Sequence, residues 1–217
     1  MVHYRPYPLL LTELLNNFNS SRNWVNFVLG SKLNLRAEFS MRLDTERLTL
    51  REFTLNDLDA FAALMADPEV MRFSLSGPMK DKEQAREYLQ KRILDHYTQY
   101  GYGLYAVIHK ADNCLAGLVG LISQNIDGEK KTELGYRLHP KYWGQGFATE
   151  ACLAIRGHAF GKLGIDELIS IIDPQNKRSL EVAKRIGMHP WKEAIFHNIL
   201  VQIYALKSPG GNQHQYG

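Results

Sequence analysis

Between residues 131 and 163 the hydrophobic period of the chain changes once, and two glycines stand at the change. "KTELGYRL" (131–138) alternates as a strand does. Beyond "HPKYWGQGF", Ala148, Ala151, Ile155, Ala159 and Leu163 recur as one face of a helix that ends at Gly161 or Gly164. Gly144 and Gly146 let the backbone enter conformations closed to other residues, and they place no Cβ before an approaching ligand. The helix behind them presents unpaired N–H groups and the positive end of its dipole. A strand, a glycine turn and a helix in this order suit a pyrophosphate, and they equally suit a plain turn. Two other phosphate sites are excluded. The chain has no Gly-Lys-Ser/Thr of a P-loop, and no third glycine with a later acidic partner after a first strand–helix unit.

The rest of the chain fits one pattern around this junction. "RLTLREF" alternates as a strand, and "TLNDLDAFAALMAD" follows as a helix capped by Thr54 or Asn56 and ended by Pro68. "KDKEQAREYLQKRILDHYTQY" carries Ala85, Leu89, Ile93 and Tyr97 at helical spacing and is stopped by "GYG". "LYAVIHK", "CLAGLVGLIS" and "KTELGYRL" form an antiparallel meander whose turns are "ADN" and "NIDGEK". "ELISIID" is apolar enough for a strand covered on both faces. "NKRSLEVAKRIG" is a helix with Asn176 as N-cap and Gly187 just past its end, and "WKEAIF" and "ILVQIYAL" close the domain. The order β-α-α-β-β-β-α-β-α-β-β predicts an α/β (α+β mixed) fold, a mixed, mostly antiparallel sheet with helices on both faces.

The 217 residues suffice for one domain with a full core, and a net charge of +3 without a basic run argues against nucleic acid as partner. No apolar run approaches the ~20 residues of a membrane span, so no membrane partner is expected and the chain reads as cytoplasmic. Cys114 and Cys152 suggest small buried hydrophobes, and the eight histidines show no metal-binding spacing, so no metal is expected. Residues 1–40 stand apart, with six Asn and a short amphipathic stretch on Leu11, Leu14, Leu15 and Phe18. The domain itself reads as 41–206, beginning near Met41, with 1–40 an extension or the product of an upstream start, and 207–217 a polar, Gly-rich tail.

"LHPKYWGQGFATEA" resembles the acyl-coenzyme A signature of the GNAT superfamily of N-acetyltransferases, and within it the branch that acetylates the amino termini of ribosomal proteins. Leu138-His139-Pro140 matches the end of the family's strand, and Gly144, Gly146 and Ala148 match its glycine turn; Trp143 stands where the superfamily usually has Arg or Gln. "TERLTLRE", "DPEVMRF", "ELGYRL", "NKRSLEVAKRIGM" and "IYAL" agree in order, over roughly residues 43–206. The resemblance implies a sheet splayed between two strands and acetyl-coenzyme A as cosubstrate. Gly144 and the amides from Gln145 through Gly146, Phe147 and Ala148 to Thr149 would then hold the pyrophosphate. The pantetheine arm would lie in the splay near Leu138, with Asn176 in contact.

The acceptor is then a primary amine, either a protein N-terminus or a small molecule such as an amino sugar, polyamine or amino acid. An α-amine (reference pKa ~7.7–8.0) needs little help to lose its proton, whereas a lysine (~10.4) needs a base. Glu133, five residues before Leu138 or about 16 Å along a strand, is the candidate base, although a charge at a strand's start needs no such role. The general-acid tyrosine that many members carry seven residues after Asn176 is here Ala183. Ser179 is the alternative proton donor, or simply a first-turn serine, with Tyr204 as a fallback. The absent tyrosine also leaves open a non-catalytic acyl-coenzyme A-binding module. Oligomeric state cannot be read from the sequence.

Overall fold

A computed structural model describes residues 41–74 and 76–210. The predictions made for 1–40, including the amphipathic stretch, and for 211–217 of the tail lie outside the described residues. Eight strands among the described residues form one sheet in the order β1-β2-β3-β4-β5-β6-β8-β7. They are β1 Arg42–Asp44, β2 Leu48–Arg51, β3 Leu104–His109, β4 Cys114–Ile126, β5 Glu129–Leu138, β6 Glu167–Ile172, β7 His189–Phe196 and β8 Ile199–Lys207. Every neighbouring pair is antiparallel except β5 and β6, which run parallel.

The alternating segments became strands because one set of their side chains enters the core. In β4 the run Ala116–Leu121 is buried at every position, so both faces of the sheet's centre are covered. Glycine is required there by close packing: a Cβ on Gly117 would stand 2.1 Å from the Arg137 carbonyl oxygen, and one on Gly120 2.1 Å from that of Gly103. The β4–β5 hairpin closes through Asp127 and Gly128, both at positive φ (52° and 88°).

Helix α1 (Leu58–Ala66) follows a 3-10 turn at Leu55–Asp57, where Thr54 and Asp57 form a reciprocal capping box. Pro68 was expected only to end this helix. It also opens α2 (Pro68–Met71), because Asp67 accepts hydrogen bonds from the Glu69 and Val70 N–H groups and a first-turn proline lacks only a donor that has no helical partner. The long helix expected over 80–100 is three segments: α3 (Lys82–Tyr88), a π segment at Leu89–Leu94, and α4 (Asp95–Tyr100), which Gly101 stops at φ 73°. Ala85, Leu89, Ile93 and Tyr97 are all buried, so the apolar stripe survives the wider turn. The Tyr97 hydroxyl accepts from the Phe53 N–H and donates to the Leu104 carbonyl, tying α4 to two strands' ends. Helix α5 (Phe147–Gly161) joins β5 to β6, and α6 (Lys177–Arg185) follows β6. Two further expectations are corrected. The first strand is preceded by the short β1, and Cys114 is exposed because it starts β4 just past the Asp112–Asn113 turn, while Cys152 on α5 is buried.

Candidate active site

The site is built where β5 and β6 part. These strands share a single register pair, Glu133 with Ile169. The His139 N–H bonds the Ala116 carbonyl on the β5 side of β4, while the Leu121 N–H, on the opposite edge of β4, bonds the carbonyl of Gly103 just before β3. The alternation therefore turns the main-chain groups of Leu134, Tyr136 and Leu138 away from β4 and toward β6. A continued parallel ladder would next join the Leu134 carbonyl to the Ile171 N–H. A side chain takes the first of these places: Ser170 Oγ donates to the Leu134 carbonyl at 2.7 Å, while the Ile171 amide lies close enough to the Glu133 carboxylate to favour its charged form. Past this point the strands diverge. Trp143 Nε1 donates to the Leu138 carbonyl at 2.6 Å, so of the backbone expected to guide a ligand at Leu138 the N–H, not the oxygen, faces the splay.

Just beyond β5, the His139 side chain and Pro140 open a 3-10 turn at Pro140–Tyr142 that leads into the glycines. Gly144 and Gly146 have φ of 73° and 83°, the left-handed region that glycine occupies without penalty. Gly146 is the N-cap of α5, and the first bond returning within the helix is from the Glu150 N–H to the Gly146 carbonyl. The amides of Phe147, Ala148 and Thr149 therefore have no intrahelical partner and sit at the positive end of the dipole. A Cβ on Gly144 would meet nothing within 4 Å, so the approach to the turn is open.

Alternation on β5 separates two sets of polar groups. Glu133, Gly135 and Arg137 share one face; Leu134, Tyr136 and Leu138 share the other. On the first face Glu133 lies inside β5 rather than at its start, because the strand extends back to Glu129. Part of Glu133's surface stays accessible, yet protein atoms crowd its carboxyl, and this burial pushes its pKa up against hydrogen bonds from Gln124 and the Ile171 amide and the charge of Arg137. Its carboxylate leans over Gly135, where a Cβ would be 3.6 Å from Oε1. Gln124 Nε2 donates to it at 2.7 Å, and Arg137 reaches Ser74 Oγ, beyond α2, at 3.2 Å. On the second face the Tyr136 hydroxyl meets Ser179 Oγ at 3.1 Å, and burial pushes the Tyr136 phenol up. Asn176 caps α6 as its sequence position predicted, accepting from the Ser179 N–H at 3.2 Å. The guanidinium of Arg178 covers the Trp143 ring at 4.7 Å, linking the start of α6 to the turn before α5.

The predicted residues thus form two groups. Leu138, the glycine turn, Asn176 and Ser179 are linked by contacts: Trp143 to Leu138, Arg178 to Trp143, Asn176 to Ser179 and Ser179 to Tyr136. Glu133 stands across β5 from Ser179. Tyr204 is buried on β8, paired with Ser170. Sequence reasoning missed Tyr136, Gln124, Arg137 and Arg47; only the alternation of "ELGYRL" carried a signal for the first and third of these.

A mixed sheet parted at one parallel pair, with a glycine turn capping a helix beside the gap, defines an acyl-coenzyme A N-acyltransferase architecture. The chain matches the acetyltransferase (GNAT) domain family over residues 47–189 and belongs to it. It is 34% identical to the uncharacterized protein YkkB of Bacillus subtilis (strain 168) over 170 residues, covering 77% of this chain and 96% of that protein. It is 33% identical to the uncharacterized N-acetyltransferase p20 of Bacillus licheniformis over 146 residues, covering 67% and 80%. A GNAT-family acetyltransferase structure from Bacillus anthracis shares 26% identity with a TM-score of 0.65, covering 77% of this chain and 98% of that one. Two structures in complex with coenzyme A share the fold. RimL, a ribosomal L7/L12 alpha-N-protein acetyltransferase, has 22% identity and a TM-score of 0.66, covering 77% and 98%. Spermidine N-acetyltransferase from Vibrio cholerae, which also holds spermine, has 18% identity and a TM-score of 0.64, covering 76% and 97%.

Proposed function

We propose that this acetyltransferase moves an acetyl group from acetyl-coenzyme A to a primary amine by direct attack within one ternary complex, in the cytoplasm, with a protein α-amine as acceptor. The observation that carries the reading is the glycine turn of α5 set at the mouth of the β5–β6 splay. Amides from Gln145 to Thr149 receive the pyrophosphate, with Asn176 along the arm. The pantetheine arm adds to the splayed edge of β5 as a strand would, using the Tyr136 carbonyl and the Leu138 N–H, which neither a β6 ladder nor Trp143 occupies.

Glu133, on the face shared with Arg137 and the Ser74 segment, takes the proton of the incoming ammonium. Its raised pKa makes it a stronger base than an exposed carboxylate once ionised. The amine nitrogen then attacks the thioester carbonyl carbon, and a main-chain N–H of the splayed edge of β5, near Leu138, bonds the oxyanion. Collapse breaks the carbon–sulfur bond. The departing thiolate, whose conjugate acid is about as acidic as cysteine (~8.5), leaves on the opposite face with a hydrogen bond donated by Ser179, whose hydroxyl contacts Tyr136, and it takes up the proton that the nitrogen sheds as the amide forms. Acceptor and leaving group thus occupy different sides of one strand.

The RimL structure favours a protein N-terminus, and the spermine-bound relative of the same fold favours a polyamine as the second reading. Coenzyme A titration by calorimetry, followed by release of free coenzyme on a panel of N-terminal peptides, spermidine and amino sugars, tests both. Turnover on peptides alone is the expected result; turnover on spermidine alone would transfer the assignment to the second reading, and absence of coenzyme binding would end both.

A further inference from the structure

The segment "TERL" at residues 45–48 resembles the family but has no part in the chemistry above. In the structure it converges on one residue of the glycine-turn helix. Glu150, in the first turn of α5, accepts on Oε1 from Thr45 Oγ1 at 2.6 Å and from the Arg47 N–H at 2.9 Å, and on Oε2 from Arg47 Nε at 2.7 Å, with Arg47 Nη2 2.6 Å from that same oxygen. The remaining arm of the guanidinium, Nη1, donates to the Gln145 carbonyl at 3.0 Å. Its plane lies over the Phe147 ring, 4.3 Å from the centroid. Gln145 is held from its other side as well, its side-chain amide donating to the Lys141 carbonyl at 2.8 Å.

This arrangement resolves an electrostatic conflict. An acidic side chain in the first turn suits the helix dipole but repels an anion bound at the same end. Glu150 has a side chain 17% exposed and is engaged by Thr45 and Arg47, so its charge is neutralised by the guanidinium. The bond to Gln145 does more. In a trans peptide the carbonyl and the following N–H point in opposite directions, and no peptide among the described residues is cis. Fixing the Gln145 carbonyl on Arg47 therefore fixes the Gly146 N–H facing away from it. A Cβ on Gly146 would come 3.5 Å from Arg47 Nη2, so the guanidinium packs directly behind the residue it orients.

The geometry points to Arg47 as the positioning residue of the coenzyme site: with Glu150 as its anchor, it holds the 145–146 peptide so that the Gly146 N–H joins the α5 amides on a phosphate-bearing ligand. Arg47 acts through the main chain and not as a free counter-charge. The inference rests on the coenzyme reading given under Proposed function.

Calorimetric titration of coenzyme A into the full chain tests it, with wild type, Arg47→Met, Arg47→Lys and Glu150→Gln compared and their ligand-free melting temperatures recorded. Losing a charge-assisted brace weakens binding about tenfold or more in Arg47→Met. Arg47→Lys recovers only part of this, because lysine offers a point charge without the planar fork. Glu150→Gln also weakens binding although it removes a negative charge near the anion; a guanidinium acting as simple counter-charge would tighten it. Wild-type affinity in Arg47→Met, including the case where only its melting temperature falls, overturns the inference, as does tighter binding by Glu150→Gln. Failure of the wild-type chain itself to bind coenzyme A would instead refute the coenzyme reading.

Discussion

Gly117→Ala tests how the splayed strand is held. Gly117 faces Leu138 across the β4–β5 ladder, at the end of β5 that leads into the glycine turn. An added Cβ would lie 2.1 Å from the Arg137 carbonyl oxygen and 2.8 Å from the Leu138 Cα, and Cβ contacts under 3.0 Å essentially do not occur. The two backbones must therefore separate by about 0.9 Å (3.0 − 2.1). The Leu118–Arg137 pair then stretches from the usual ~2.9 Å to nearly ~3.8 Å, too long for a hydrogen bond. Overpacking costs about 1–3 kcal/mol and a buried ladder group left unpaired about 1–3 kcal/mol more, so a loss of roughly 2–6 kcal/mol is expected. At about 2–4 °C per kcal/mol for a domain of this size, Tm falls by roughly 4–24 °C in a calorimetric scan. The displacement also drives Leu138 toward β6, so coenzyme affinity falls with it. A variant melting within about 2 °C of wild type, with unaltered coenzyme binding, would refute the argument that glycine sets this strand spacing.

Two further outcomes follow from the same geometry. Gly157 lies exposed within α5, and an added methyl there would meet nothing within 4 Å, so Gly157→Ala stabilises the chain by about 0.5–1 kcal/mol, whereas Gly146→Ala, at φ 83°, destabilises it by about 1–2 kcal/mol; paired melting curves give opposite signs. Burial raises the pKa of Glu133, so activity with an amine acceptor drops as pH falls through that raised value, and Glu133→Gln flattens this limb of the kcat/KM profile. The sign for stability is opposite to that of a salt-bridged carboxylate. Stability that Glu133 contributes in its protonated form is full below the unfolded pKa of ~4.3 and is lost as pH rises through the folded value, so Glu133→Gln melts higher than wild type at neutral pH and not in acid.

The elements that periodicity marks were legible in the sequence. The alternation of "LYAVIHK" and "ELGYRL", the glycine turn and the Asn176 cap are all local, and the structure has each where the residues indicated. The π segment at Leu89–Leu94 was not legible, since the stripe Ala85, Leu89, Ile93, Tyr97 is compatible with an uninterrupted helix. The site's second layer was hidden for a different reason. Tyr136 and Ser179 are 43 residues apart, and Arg47 and Glu150 are 103 apart. Such pairs leave no spacing to read, because the fold alone brings them together. What fills the splay was hidden too: Ser170 reads as an ordinary strand serine until its partner, the Leu134 carbonyl that a continued ladder would have used, is seen.

That substitution of a side chain for a ladder partner has a thermodynamic consequence. Because Ser170 satisfies the Leu134 carbonyl in the free chain, a guest entering between β5 and β6 has no ladder bond to break there, and its binding energy is not spent on reorganising its host. The cleft is preorganised: what association costs is the ordering of the guest's own flexible arm.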